Sequence, residues 1–319
     1  MKRTSRCRRG VDDRSRRLSC VPLVYRPLLA GLVVASLAGF ASRPACGAEP
    51  VAIFHVGNSL TDQAYGMHDV AKARGHQTQF GRHMIPGAPL DWLWNHRGEG
   101  FRAPDAKKPA DEILRESRWD VLILQPFGRA PEVSIEFGAK YAAEAYKGNP
   151  DCRVFVFANY PEIGKDRSKA DQWQERWLSE TDRKGRADFE KVAQGISAKF
   201  PGKKPVRIIP VGEVMYRLHL RMKEGKLPGW KHVADLFEDG VHLKSEGKYL
   251  EAVTHYATVF HDDPHGSITS GLRFWRAPYG VDQQFAEVVW DVVWDVITTY
   301  PPTGVERRQS PGVPVRIRR

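Results

Sequence analysis

The sequence predicts an α/β fold, a parallel sheet between helical layers, and three observations predict it. Residues 49–300 run without a Pro/Gly/Ser-rich linker or an internal repeat, as one domain of the larger kind does. Short apolar runs recur within them at 51–56, 121–124, 154–157 and 206–211. None alternates with polar residues, so both faces of each strand should be covered. Helix-like stretches separate the runs, and strands alternating with helices build parallel sheets. A content of 41% hydrophobic and 27% charged residues also excludes a disordered chain and a small disulfide-stapled module.

The first 48 residues stand apart. An Arg-rich stretch ends at Arg26, an uncharged run covers 27–41, and Cys46-Gly47-Ala48 offers small residues before Glu49, the three-part layout of an export signal. The uncharged run is shorter than the roughly 18 to 20 residues of a membrane span. The expectation is therefore a signal peptide over 1–48, cleavage near Ala48/Glu49, a periplasmic or secreted product, and no stable membrane anchor. Ser15-Arg16-Arg17 leaves the choice of export route open. Cleavage removes Cys7, Cys20 and Cys46, and Cys152 remains beside a strand, where a buried thiol packs as a small apolar group.

Charge narrows the partners. The chain carries a net +11, but residues 1–48 hold ten Lys/Arg against two Asp/Glu, and 301–319 hold five Arg against Glu306. The stretch 49–300 has 34 basic and 35 acidic side chains, so no counterion-releasing surface is visible and nucleic acid is not an expected partner.

Along the body, the first strand at 51–56 runs into Gly57-Asn58-Ser59-Leu60-Thr61, and helix-like stretches follow at about 63–74, 110–117, 136–147, 171–199, 213–224, 245–260 and 283–299. In the last of these, Phe285, Val288, Val289, Val292 and Val296 recur at helical spacing while Asp291 and Asp295 interrupt the apolar run. It reads as a core-facing helix, not a membrane span. Residues 301–319 read as a flexible basic tail.

Ser59 follows a strand at the sheet edge where ligands bind in such folds, with a glycine that lets the chain turn and helix-start amides aimed at the same spot. A serine nucleophile needs a base within reach and a third group to orient that base. Asp-x-x-His occurs at Asp239/His242 and at Asp262/His265. The first pair lies in a turn before the helix at 245–260, beyond the strand at 206–211, and can face the same edge. The second follows that helix at its far end. The first pair is favoured.

These residues resemble the SGNH hydrolases, the GDSL-type esterase and lipase superfamily, over most of 51–260. Gly57-Asn58-Ser59-Leu60-Thr61 is similar to the first block of that family, with Asn58 for the commoner Asp. Asp239-Gly240-Val241-His242-Leu243 is similar to the last, and Ile85-Pro86-Gly87-Ala88 to the second. The resemblance implies a three-layer α/β/α sandwich with a parallel, flavodoxin-like central sheet. It also implies Ser59 as nucleophile, His242 as general base, Asp239 as the residue holding its ring, and the amides of Ser59 and Gly87 as oxyanion donors. The third block departs from the pattern: 120–125 ends in Gln125 and continues as Pro126-Phe127-Gly128-Arg129, with no asparagine. Gln125 is the candidate for the third donor. No cofactor or metal is implied.

The expected reaction is hydrolysis of a short-chain ester, acetyl above all, on a small molecule or polysaccharide. Trp92 and Trp94 are candidates to stack on a sugar, against the alternative that they pack a helix onto the body. The rivals are a carbohydrate-binding protein with impaired catalysis on the same fold, a lipid esterase, and a metal hydrolase using His261, Asp262, Asp263 and His265.

Overall fold

One six-stranded sheet organises the chain: five of its strands run parallel, and a short antiparallel strand closes one edge. The computed structural model describes residues 49–274 and 277–307; the signal peptide expected over 1–48 and the last twelve residues fall outside them. In chain order the elements are β1 (Val51–Gly57), α1 (Ser59–Gln63), α2 (Gly66–Ala73), β2 (Thr78–Met84), α3 (Leu90–Asn95), β3 (Phe101–Ala103), α4 (Ala110–Glu116), β4 (Val121–Leu124), α5 (Pro131–Gly148) and β5 (Arg153–Phe157). There follow α6 (Trp173–Leu178), α7 (Arg186–Ala198), β6 (Arg207–Ile209), α8 (Val211–Lys223), α9 (Ser245–Phe260), β7 (Leu272–Phe274), β8 (Ala277–Tyr279) and α10 (Gln283–Thr299).

The parallel strands lie in the order β2-β1-β4-β5-β6, with antiparallel β3 beside β2; this is the flavodoxin-like order, in which the connections leaving β1 and β4 diverge and open a crevice at their carboxyl ends. Helices α3, α4, α5 and α7 pack together, and α2, α8, α9 and α10 form a second group. The sheet lies between two helical layers, so the strands lack polar alternation: Ile53, Phe54 and Val56 are all fully buried. Among the described residues, no helix is long and apolar enough to cross a membrane.

Several boundaries differ from the sequence reading. Val211 starts α8 instead of ending a strand, because Pro210 has no N–H for the ladder and instead precedes the helix. The stretch 171–199 is two helices: the Ser179 hydroxyl accepts from the Thr181 and Asp182 amides and breaks the run. The stretch at 63–74 is also two helices and begins earlier, at Ser59. β2, α3, β3 and the β7–β8 pair carry no strong periodicity; β2 reads Thr-Gln-Phe-Gly-Arg-His-Met and owes its place to pairing with β1. The folded body also passes the boundary expected at 300. Pro301–Thr303 forms a 3-10 turn, the Thr303 hydroxyl donates to the Ile297 carbonyl at 2.6 Å, and Val305 is buried.

Buried titratable groups here are structural. Burial pushes the Cys152 thiol up to about 12, which removes it as a nucleophile at neutral pH. His55 Nε2 lies 3.1 Å from His68 Nε2, His68 Nδ1 lies 2.9 Å from Thr78 Oγ1, and burial lowers His68 to about 4. Glu251, on the buried side of α9, is driven well above the usual carboxyl range by burial against the weaker pull of Lys248, and neither carboxyl oxygen has a hydrogen-bond partner among the described residues. A raised folded-state pKa means that the folded protein holds the proton while the unfolded chain releases it, so stability falls as pH rises above the ordinary carboxyl range. Glu251→Gln is expected to raise Tm by several degrees at about pH 8, with the gain shrinking to nothing near about pH 4. Thermal unfolding at the two pH values checks this, and an equal shift at both rejects it.

Candidate active site

The crevice between the carboxyl ends of β1 and β4 is built around a tight turn after β1. A Cβ on Gly57 would sit 2.0 Å from Thr61 Oγ1 and 2.5 Å from Gln125 Oε1, so only glycine lets those side chains close over the strand end. Asn58 caps α1, its Oδ1 accepting from the Leu60 amide at 3.1 Å while its Nδ2 donates to the Ala88 carbonyl at 3.3 Å. An aspartate at 58 has no donor for the second bond. The same side chain thus starts the helix of Ser59 and ties it to the loop after β2, and the Ile85 amide adds a bond to the Gly57 carbonyl at 3.3 Å.

That second loop turns at Pro86-Gly87. The Ala88 amide donates to the Ile85 carbonyl at 3.1 Å, and Gly87 has φ of +70°, the conformation that a turn of this kind demands of its third residue. Gly87 is exposed, nothing lies within 4 Å of where its Cβ would be, and its amide has no acceptor among the described residues.

Ser59 Oγ lies 2.9 Å from His242 Nε2, and His242 Nδ1 lies 2.9 Å from Asp239 Oδ2. The loop carrying His242 is closed on itself by Glu238 N to His242 O at 2.9 Å and Lys244 N to Leu236 O at 2.8 Å. Asp239 Oδ1 accepts from the Val241 and His242 amides at 2.6 and 2.7 Å, which points the second oxygen at the ring. Burial alone would raise the Asp239 carboxyl. The bonds from the His242 ring and from the two amides outweigh it and hold the group at about 2. An ionised carboxylate only accepts, so Nδ1 carries the ring proton and Nε2 offers its lone pair to the serine hydroxyl.

The sequence candidates therefore separate. Ser59, His242 and Asp239 come together in one hydrogen-bonded chain. Gly87 lies on the loop fastened beside Ser59. Gln125 is buried at the end of β4, but its carboxamide is turned into the protein: Oε1 accepts from the Asn58 amide at 2.9 Å and from Thr61 Oγ1 at 2.6 Å, and Nε2 is buried without an acceptor. Trp94 packs edge-on to Tyr141 at 5.0 Å, with the Arg97 guanidinium over its ring, as a helix-packing residue. Trp92 is 49% exposed and stacks on His96 at 4.0 Å. Beside it, Asp91 pairs with Arg129 at 3.1 Å and links α3 to the segment following β4. At the far end of α9, Asp262 pairs with Arg74, and His265 is held between Asp263 and Asp291. Among the described residues, no group of three or more His, Cys, Asp or Glu is placed to hold a metal ion.

The sequence reading missed several polar residues around the crevice. Asn159, past β5, donates from Nδ2 to the Pro126 carbonyl at 3.1 Å, and Gln63 joins α1 both to the His242 loop and to Tyr160 in the segment after β5. Only Gln63 carried a usable clue, its place four residues after Ser59 on a helix.

No protein-family profile matches the sequence, and no curated protein matches it. Among solved structures, the chain is similar to a protein assigned to the SGNH hydrolases from Slackia heliotrinireducens, at 18% identity over 66% of this chain and 99% of that one, with a TM-score of 0.41. It is similar to a carbohydrate esterase family 3 protein from Talaromyces cellulolyticus at 14% identity, over 66% and 97% of the two chains, TM-score 0.42. A third is the periplasmic domain of a lipopolysaccharide acetyltransferase from Salmonella ser. Paratyphi A, at 13% identity over 66% and 84%, TM-score 0.39.

Proposed function

We propose that the protein is a serine esterase that hydrolyses a short-chain ester, acetyl above all, on an extracellular carbohydrate through an acyl-enzyme. The observation that carries the reading is the chain of hydrogen bonds Ser59–His242–Asp239 at the carboxyl edge of the sheet, formed between residues 183 positions apart. In this reaction His242 Nε2 takes the Ser59 proton as Oγ attacks the ester carbonyl, and Asp239 holds the imidazolium that forms. The amides of Ser59 and Gly87 stabilise the oxyanion. His242 then protonates the departing alcohol. Water, deprotonated by the same ring, attacks the acyl-enzyme, releases the acid and restores Ser59.

Gln125 acts here as a clamp on the nucleophile turn instead of the third oxyanion donor assigned from its position. Its oxygen is committed to Asn58 and Thr61, and its nitrogen has no exposed surface to offer a substrate. A missing donor costs about 10² to 10³ in rate, which leaves a slower but functional centre. The sugar part of the reading is supported by the exposure of Trp92 on α3, the helix that follows the Gly87 turn, and the exported setting by the signal-like layout of 1–48.

A panel of activated esters and acetylated oligosaccharides tests it. Acetate is expected to be released at least about 10-fold faster than octanoate from matched esters, since one misfitted methylene group already changes rates by about 10-fold or more. Faster release of the longer acid points instead to a lipid esterase. Sugar binding with no turnover of any ester points to the impaired, binding-only rival.

A further inference from the structure

The bond from Ser59 to His242 joins α1 to a loop that is otherwise fastened elsewhere. The loop's other backbone bonds close it on itself or reach the segment after β5, where the Ile163 amide donates to the Gly240 carbonyl at 2.9 Å. One turn along α1 there is a second tether. Gln63 is fully buried and stands four residues after Ser59, hence on the same side of the helix. Its Oε1 accepts from the Leu243 amide at 2.7 Å, and its Nε2 donates to the Tyr160 hydroxyl at 3.3 Å. Leu243 directly follows His242. Among the described residues, no other hydrogen bonds run from α1 to this loop.

We infer that Gln63 is a positioning residue, whose carboxamide pins the backbone after His242 to the nucleophile helix and so sets the approach of the imidazole to Ser59. The inference rests on the esterase reading. Tyr160 engages the amide nitrogen and thereby keeps the oxygen facing the Leu243 amide. The site asks for an uncharged side chain that accepts on one side and donates on the other, which is what glutamine supplies. A loop that rocks by an ångström about α1 spends less time with Nε2 within reach of the hydroxyl, and such misplacement costs up to about 10²-fold in rate.

The test uses the full chain with Gln63→Met, of similar volume without the acceptor, and Gln63→Glu, which keeps it. Gln63→Met is expected to lower kcat on an activated acetyl ester by about 10- to 100-fold with KM within about 3-fold, since the tether touches no substrate. Gln63→Glu is expected to recover part of kcat, because a buried carboxyl held protonated can accept from the Leu243 amide and donate to the Tyr160 hydroxyl as the carboxamide does. Wild-type kcat in Gln63→Met overturns the inference, and so does a Gln63→Glu enzyme as slow as Gln63→Met. A wild-type protein that neither cleaves esters nor takes a phosphonate label on Ser59 overturns the esterase reading alone. Hydrogen exchange of the Leu243 amide then still decides the tether: faster exchange in Gln63→Met supports it and unchanged exchange overturns it.

Discussion

Ser59→Ala is expected to lower kcat/KM on an activated acetyl ester by about 10⁴ or more. Nothing else at the turn depends on the hydroxyl: the Asn58 cap, the bonds from Gln125 and the glycine packing involve the Asn58 side chain and amide and the Thr61 side chain. The variant should therefore keep its fold, and the loss reports the missing nucleophile. On the proposed mechanism, residual turnover would come from the amides of Ser59 and Gly87 and from binding. The measurement pairs steady-state kinetics with mass analysis after a serine-directed phosphonate, which should add to Ser59 in the wild type and nowhere in the variant. Full ester cleavage by Ser59→Ala would falsify the acyl-enzyme route.

His242→Gln has an expected loss of the same size, about 10⁴, because serine is a weak nucleophile until a base takes its proton. On the proposed mechanism the two residues act as a unit, so the Ser59→Ala/His242→Gln double variant should be little slower than either single one. Additive losses in that cycle mean that His242 does not serve Ser59. The third member behaves differently with pH. Asp239 is held at about 2, so it stays ionised around neutral pH, and in the proposed reaction it is not expected to set the acid limb of activity. Its effect on stability follows from the same sign: a depressed carboxyl stabilises the fold above its unfolded value and loses that contribution as pH falls through about 2. The Asp239 side chain is 55% exposed, so solvent screening keeps this contribution small.

The difference between the expected and observed roles of Gln125 shows where sequence reading stops. Its position after an apolar strand fixed which edge it occupies, but the direction of a carboxamide depends on which partners surround it. Those partners, Asn58 and Thr61, lie 67 and 64 positions away. Trp94 makes the same point from the other side. It stands two residues from Trp92 on one short helix, yet Tyr141 beneath it makes it a packing residue while Trp92 faces solvent.

By itself, the sequence determined the unbroken strands, the alternation that demands a parallel sheet, the near-neutral body, and the order of Ser59 and the Asp239/His242 pair along the chain. These are local properties: periodicity, charge and the chemistry of neighbouring side chains. Only the tertiary structure decided that His242 meets Ser59, that β2 and β3 belong to the sheet despite weak patterns, and that Gln63 and Asn58 join the loops of the crevice. Each of these depends on strand order and on contacts between distant segments, and the free energy of such contacts comes from surfaces that exist only once the sheet has formed.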